Sequence, residues 1–226
     1  MNKILTFDCY GTLLDTSSLY DFIGRIAGLN GLSSQKAMKV FSDYEDRLMY
    51  GEDFIAYDRL LLEILTYCNM ELSTDIFTQR YDEIVEIHKN FSPFPDVKES
   101  LYRLKENGYD LVIMSNSTNE FMKQHLKIMD NIFDASLVAE DTKCYKPNLK
   151  FFKMAEEKFR LKEREHCHIA MGYWWDIVPA SKMGWNKIWV NRFLLLVYFF
   201  YIHPCHARKQ RKNGAFLKDG YRNFAR

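Results

Sequence analysis

Lys3-Ile4-Leu5-Thr6-Phe7-Asp8-Cys9-Tyr10-Gly11-Thr12-Leu13-Leu14-Asp15 is the stretch that decides the fold. Residues 3–8 form a continuous apolar run ended by turn residues, the pattern of a buried strand. An aspartate at the end of such a strand is costly to desolvate unless it is paired, hydrogen-bonded or used. Gly11 lets the backbone turn sharply, and Thr12 brings a hydroxyl close by. This aims the Asp8 carboxylate out of the carboxyl edge of a parallel sheet, where open α/β folds place their chemistry.

Beyond the turn the periodicity changes. From about 17 to 90, apolar residues recur at helical spacing: Leu19, Phe22, Ile23, Ile26 and Ala27; Ala37, Val40, Phe41 and Tyr44; Phe54, Tyr57, Leu61, Ile64 and Leu65; Phe77, Tyr81, Ile84 and Ile87. Ser33 or Ser34, Asp53 and Ser73 are the expected N-caps of this four-helix block. Pro93 and Pro95 punctuate the chain, and helices then alternate with short apolar strands. Strands are expected over 110–115, 133–139, 166–171 and 187–191. Helices are expected over 97–106, 119–129, 149–159 and 176–183, the first stopped by Asn107-Gly108. The expected fold class is α/β, a doubly wound, Rossmann-like parallel sheet with right-handed crossovers and an inserted all-helical cap domain. The core comprises 1–14 and 92–192, the cap 15–91, and 193–226 is an atypical tail.

Composition narrows the function classes. The chain has 226 residues, 47% of them apolar, and a formal net charge of +1. That balance gives no global pull towards nucleic acid or membranes. Residues 208–226 hold seven basic residues and one acidic one, so the basic end is a property of the tail. Five widely spaced cysteines and a first strand that begins at once point to a reducing, cytoplasmic compartment without a leader. The longest apolar run, residues 193–202, falls short of the ~20 residues a membrane span needs. An apolar then basic tail fits an interfacial anchor, a strand with a basic extension, or a shifted reading frame.

Four expected strand ends carry polar residues: Asp8 with Thr12; Ser115-Asn116-Ser117-Thr118; Lys146 before Pro147; and Asp176 after Gly172-Tyr173-Trp174-Trp175. Each alone reads equally as a cap, a turn or a solvated lysine. Together they supply a nucleophilic carboxylate, Asp8. Lys146 is a cation that keeps a neighbouring carboxylate ionised. Ser115, Asn116 and nearby backbone amides can hold a substrate carboxylate or phosphoryl group. Thr12 can orient Asp8 or activate water. Asp176 can orient Lys146, position water or ligate a metal. Tyr10, Tyr173 and Trp175 are candidates to contact substrate, the last two equally as pocket lining or core packing. His166-Cys167-His168 lacks the spaced pairs of a zinc site. Cys9 reads as a small buried hydrophobe.

The order and spacing of these residues resemble the four motifs of the haloacid dehalogenase-like hydrolase superfamily, closest to its L-2-haloacid dehalogenase branch, over about residues 1–192. The resemblance implies a covalent ester at Asp8 and hydrolysis of a carbon–halogen bond. It also implies a small-molecule substrate, an anionic organic acid, no cofactor, and room for a homodimer. Phosphatase branches carry a second aspartate where Tyr10 stands, and a phenol of pKa about 10 is a poor proton donor at neutral pH. They also carry a further acid where Met171 stands, and thioether sulfur suits magnesium badly. A phosphatase using Mg2+ on Asp8, the Tyr10 backbone and Asp176 remains the first alternative. A non-catalytic regulatory protein on the same scaffold is the second. The chain also departs from the dehalogenase pattern. Met171 and Tyr173 replace serine and asparagine, Phe152 replaces a tyrosine, and Ser42 stands in place of the cap arginine that meets substrate, with Arg47 close by.

Overall fold

The computed structural model describes residues 3–51, 53–162 and 165–192. The tail from 193 onward, with its anchor, extension and frame readings, lies outside the described residues.

Five strands form one parallel sheet: β1 (Lys3–Phe7), β4 (Tyr109–Ser115), β5 (Ala135–Val138), β6 (His166–Ala170) and β7 (Lys187–Trp189). Their order is β5-β4-β1-β6-β7, which puts the opening strand in the middle. Leu5 pairs with Leu111 on one side and Cys167 on the other. A strand flanked on both edges and covered on both faces is mostly apolar, and Leu5 and Phe7 are buried accordingly, with Thr6 the buried polar exception. Helices α5 (Val97–Glu106), α6 (Asn119–Ile128), α8 (Leu149–Phe159) and α9 (Val178–Lys182) alternate with these strands, together with a single short turn of helix, α7 (Ala139–Thr142). Thr118 and Asn148 cap α6 and α8 through their side chains.

Four helices intervene between the first strand and the rest: α1 (Ser17–Leu29), α2 (Ser34–Leu48), α3 (Tyr57–Leu72) and α4 (Tyr81–Lys89). Their apolar stripes bury Phe22, Ile23, Phe41, Leu61, Ile64 and Ile84 against one another. Each such side chain contributes about 1.5–3 kcal/mol. The chain leaves and re-enters the sheet through a two-stranded antiparallel ribbon, β2 (Leu14–Asp15) against β3 (Ser92–Pro93). The expected boundaries at 14/15 and 91/92 fall on this ribbon.

Several expectations need correction. Ser33 caps α2 as expected, its Oγ accepting from the Lys36 amide at 3.3 Å. Asp53 caps nothing, because α3 starts at Tyr57 behind Ala56. Ser73 ends α3 in the left-handed region at φ 52° rather than starting a helix. The helix expected from Asp176 begins instead as a π-turn, Tyr173–Ile177, before α9. The wider turn carries Asp176 inward.

Candidate active site

The turn after β1 is held by backbone bonds. The Cys9 carbonyl accepts from the amides of Leu13 and Leu14 at 2.8 and 3.0 Å, and Gly11 N–H donates to Leu14 O at 2.8 Å. Gly11 sits at φ +71°, and a Cβ there would lie 2.6 Å from Met171 Cε, so both conformation and space call for glycine. Arg192 braces the turn from outside. Its guanidinium donates to the Thr12 carbonyl at 2.8 and 3.1 Å and to Asp96 at 2.6 Å.

Asp8 is thereby fixed with both oxygens engaged. Lys146 Nζ donates to Asp8 Oδ1 at 2.8 Å, and the Thr12 hydroxyl donates to Oδ2 at 2.5 Å. Thr12 Oγ1 in turn accepts from the Met171 amide at 2.8 Å. Lys146 also donates to Asp176 Oδ1 at 2.7 Å and to the Met114 carbonyl at 2.9 Å, so all three of its protons are spent. Burial pushes the Asp8 carboxyl above the ordinary aspartate range, and Lys146 opposes the rise. Burial acts on Asp176 in the same direction, but Lys146 and His168 outweigh it and hold the carboxyl below that range. Burial likewise works against the Lys146 ammonium, yet Asp176 and Asp8 keep it above the ordinary lysine value. All three groups are almost completely buried.

A polar chain continues beneath Asp176. His168 Nε2 lies 3.0 Å from Asp176 Oδ1, and the Thr6 hydroxyl bridges His168 Nδ1 and His166 Nε2 at 2.8 and 2.7 Å. The two histidines on one strand face hold a hydroxyl and a carboxylate together. Cys9 is fully buried, and burial raises its thiol well above the ordinary range, so it presents no thiolate.

Asp8, Lys146 and Asp176 open into a cavity of about 220 Å³ between the sheet edge and the inserted helices. Asn116, Tyr10, Met171 and Trp175 also line it. The Asn116 amide is tied to Lys146's backbone: Oδ1 accepts from its N–H at 2.7 Å, Nδ2 donates to its carbonyl at 3.1 Å, and Nδ2 also faces Met49 Sδ at 3.8 Å. Tyr10 turns its hydroxyl away to Ser117 Oγ at 2.7 Å, and burial raises the phenol well above its ordinary value. Trp175 stacks on Tyr50, the ring centroids 5.3 Å apart.

Two expected substrate contacts are not brought to the cavity. Ser115 points into the core, its buried Oγ without a partner among the described residues. Tyr173 is about half exposed and packs edge-on against Trp189. The π-turn explains this second result, since it carries Trp175 and Asp176 inward and leaves Tyr173 and Trp174 outside. Thr12 is not on the cavity wall either, and its hydroxyl positions Asp8.

The inserted helices add residues that the sequence reading missed. Glu45 on α2, Tyr20 on α1, Tyr57 on α3 and His88 on α4 all line the cavity opposite Asp8. Glu45 accepts from the Tyr20 hydroxyl at 2.8 Å and the Tyr57 hydroxyl at 2.5 Å. Glu45 follows Phe41 by four residues, so a carboxylate on the apolar stripe of α2 was the available signal. Among the described residues no arginine lines the cavity, in keeping with Ser42 at the cap position. Ser42 does not line the cavity, and Arg47 is exposed with its guanidinium over the Tyr44 ring at 5.5 Å.

A resident magnesium ion fits these donors poorly. Lys146 and Thr12 engage three of the four oxygens of Asp8 and Asp176. Only Asp176 Oδ2 is left without a partner, and Met171 offers sulfur where a hard cation needs oxygen. Among the described residues no three His, Cys, Asp or Glu side chains gather as ligands. No described helix is long and apolar enough to cross a membrane.

Comparison with known proteins agrees with the geometry. The sequence profile of haloacid dehalogenase-like hydrolases matches residues 2–184. The (S)-2-haloacid dehalogenase 4A of Burkholderia cepacia is 30% identical over 197 residues, covering 84% of this chain and 83% of that protein. The haloacetate dehalogenase H-2 of a Moraxella species is 26% identical, covering 85% and 88%. The crystal structure of the L-2-haloacid dehalogenase RSc1362 superposes with a TM-score of 0.76 at 20% identity, covering 92% and 91%, a likeness of fold.

Proposed function

We infer the reaction from the premise that this chain belongs to the haloacid dehalogenase-like hydrolase family, most similar to its (S)-2-haloacid dehalogenases. Asp8 attacks an electrophilic carbon of a small organic substrate. A new C–O bond forms to the carboxylate and the carbon–halogen bond breaks, with the electron pair leaving on halide. Water then adds to the carbonyl carbon of the Asp8 ester. The alcohol product leaves with one former carboxylate oxygen, and Asp8 is regenerated with release of a proton.

One observation carries this reading. Asp8 is the buried carboxylate at the cavity floor, with Lys146 on one oxygen and Thr12 on the other. The ammonium keeps the nucleophile ionised against the cost of burial, and the hydroxyl fixes its direction. Asp176 Oδ2 is buried, lacks a partner among the described residues and lines the same cavity, so it can orient the hydrolytic water. Tyr10 supports displacement of halide over release of an alkoxide. Its hydroxyl is held by Ser117 and its pKa is driven up, so the residue two places after the nucleophile supplies no acid. Halide needs none.

The test is turnover of 2-chloropropionate and 2-chloropropionamide in 18O-labelled water. Chloride release and a mass gain confined to the Asp8 peptide are expected, both absent in Asp8→Asn. Equal release by Asp8→Asn, or release without label on Asp8, refutes the ester. Magnesium-dependent cleavage of an aryl phosphate would replace this reading with the phosphatase one.

A further inference from the structure

The wall facing Asp8 has the wrong charge for an anionic substrate. Four carboxyl groups line the cavity, those of Asp8, Glu45, Asp46 and Asp176, against a single ammonium on Lys146; burial raises the Glu45 carboxyl, and the Tyr57 and Tyr20 hydroxyls that donate to it favour its charged form. His88 adds no charge, because burial drives its imidazole well below the ordinary range. The ammonium has no donor left to give, since Asp8, Asp176 and the Met114 carbonyl take all three protons. The Asn116 amide, another expected anion contact, gives one Nδ2 proton to the Lys146 carbonyl and turns Nδ2 to Met49 Sδ at 3.8 Å as well.

The wall has instead the features of a receptor for a hydrogen-bond donor. Glu45 is fixed by two tyrosine hydroxyls from two other helices, which holds its carboxylate in one place. Two buried polar atoms lack partners among the described residues, both on residues that line the same cavity and are 1% exposed: Asp176 Oδ2, an acceptor, and His88 Nδ1, which accepts or donates according to the tautomer. An unpaired buried polar atom is costly, so a ligand that satisfies it relieves that cost. Leu19, Phe91, Met49 and Trp175 supply the apolar remainder of the wall.

Resting on the hydrolase reading above, we propose that Glu45 sets substrate choice and that the cavity takes a small organic molecule bearing an N–H donor, an amide or a protonated amine, rather than a 2-halocarboxylate. The donor faces Glu45, and the reacting carbon faces Asp8. Carboxylates are excluded by like charge, which is how an interior site rejects a ligand of similar shape.

Two measurements on the full chain separate this inference from the reaction itself. The first is binding of unreactive probes, propionate, propionamide and propylammonium, by ligand-detected NMR titration. The nitrogen probes are expected to bind about tenfold or more tighter than propionate, the scale of one well-placed charge contact. Glu45→Gln, which keeps the shape and both tyrosine partners, is expected to bring that ratio to within about threefold, on the same scale. Asp46→Asn, at an exposed position, is expected to move it part of the way without touching the core. Propionate binding as tightly as the nitrogen probes, no probe binding, or an unchanged ratio in both variants overturns the inference. The second measurement is chloride release. Faster release from 2-chloropropionate than from 2-chloropropionamide overturns it while leaving the Asp8 ester intact. No release from either, with the binding order as expected, sinks the ester and leaves Glu45's role standing.

Discussion

Lys146→Met deletes one charge from a buried network and keeps the apolar stem, so it tests the network directly. Lys146 is 1% exposed and bonded to both carboxylates at 2.8 and 2.7 Å. Breaking a buried ion pair from one side leaves an uncompensated charge and costs about 3–5 kcal/mol. At about 2–4 °C per kcal/mol for a chain of this size, the melting temperature falls by roughly 6–20 °C. The loss depends on pH, and its sign follows from the carboxyls. Asp176 keeps His168, whereas Asp8 keeps only Thr12. The variant's Asp8 therefore rises further above its unfolded pKa of about 3.9. A raised folded pKa contributes stability that is complete below the unfolded value and is lost as pH climbs through the folded one. Relative to wild type, Lys146→Met should be least impaired near pH 4–5 and most impaired near pH 8. Adding Asp8→Asn removes the stranded charge, so the double variant should recover about 1–3 kcal/mol over additivity. Urea denaturation of the four proteins at pH 5 and pH 8 reads all of this. A Lys146→Met protein within about 1 kcal/mol of wild type at both pH values, with additive double-variant behaviour, would refute the buried-pair account.

Thr12→Val removes the donor to Asp8 Oδ2 and the acceptor for the Met171 amide. It should cost about 1–3 kcal/mol, and it should shift the acidic limb of the pH–rate profile upward because that hydrogen bond holds the Asp8 carboxyl down. His166 is lowered from 6.5 to about 3, first by burial and then by His168. A His whose folded pKa is depressed loses stability as pH falls from the unfolded value towards the folded one. Wild type should therefore lose stability between pH 6.5 and about 3 more steeply than His166→Gln, and its imidazole resonances should stay neutral by NMR above pH 4.

The sheet was legible because its central strands carry buried apolar runs, Leu111–Met114 in β4 above all. Residues 110–115 and 187–191 fall within one or two positions of β4 and β7. The helices 97–106 and 149–159 have the observed bounds. The chemistry at the first strand end was equally legible, because Asp8, Gly11 and Thr12 act within one turn. Misreadings arose where the backbone left the regular menu. Ser73 looks like an N-cap by composition yet adopts the left-handed region at a helix end. The π-turn at 173–177 rotates Tyr173 to solvent and Asp176 to the interior, which a 3.6-residue period does not anticipate. Ser115 ends its strand with its side chain towards the core, because alternation along β4 sends Asn116 to the cavity instead.

The inserted helices were harder to read for a different reason. Their periodicity announces helices and their buried stripes, but not which polar residue on a stripe faces the sheet. Glu45 acquires its meaning only from Tyr20, 25 residues before it, and Tyr57, 12 residues after it. His88 acquires its meaning from burial beside Tyr10 and Phe121. The two walls of the cavity therefore answer separate questions. In the proposed reaction the sheet edge sets which bond is broken, through a carboxylate, an ammonium and a hydroxyl within a few ångströms. In the proposed substrate choice the helical wall selects the molecule that arrives with that bond. Likeness to dehalogenases extends over 84% of the chain at 30% identity, and the proposed difference in substrate lies at Glu45 on the helical wall. The described residues of this chain set a carboxylate, an ammonium and a hydroxyl on the sheet side against Glu45 and Asp46 on the helical side, and that pairing is what the binding experiment tests.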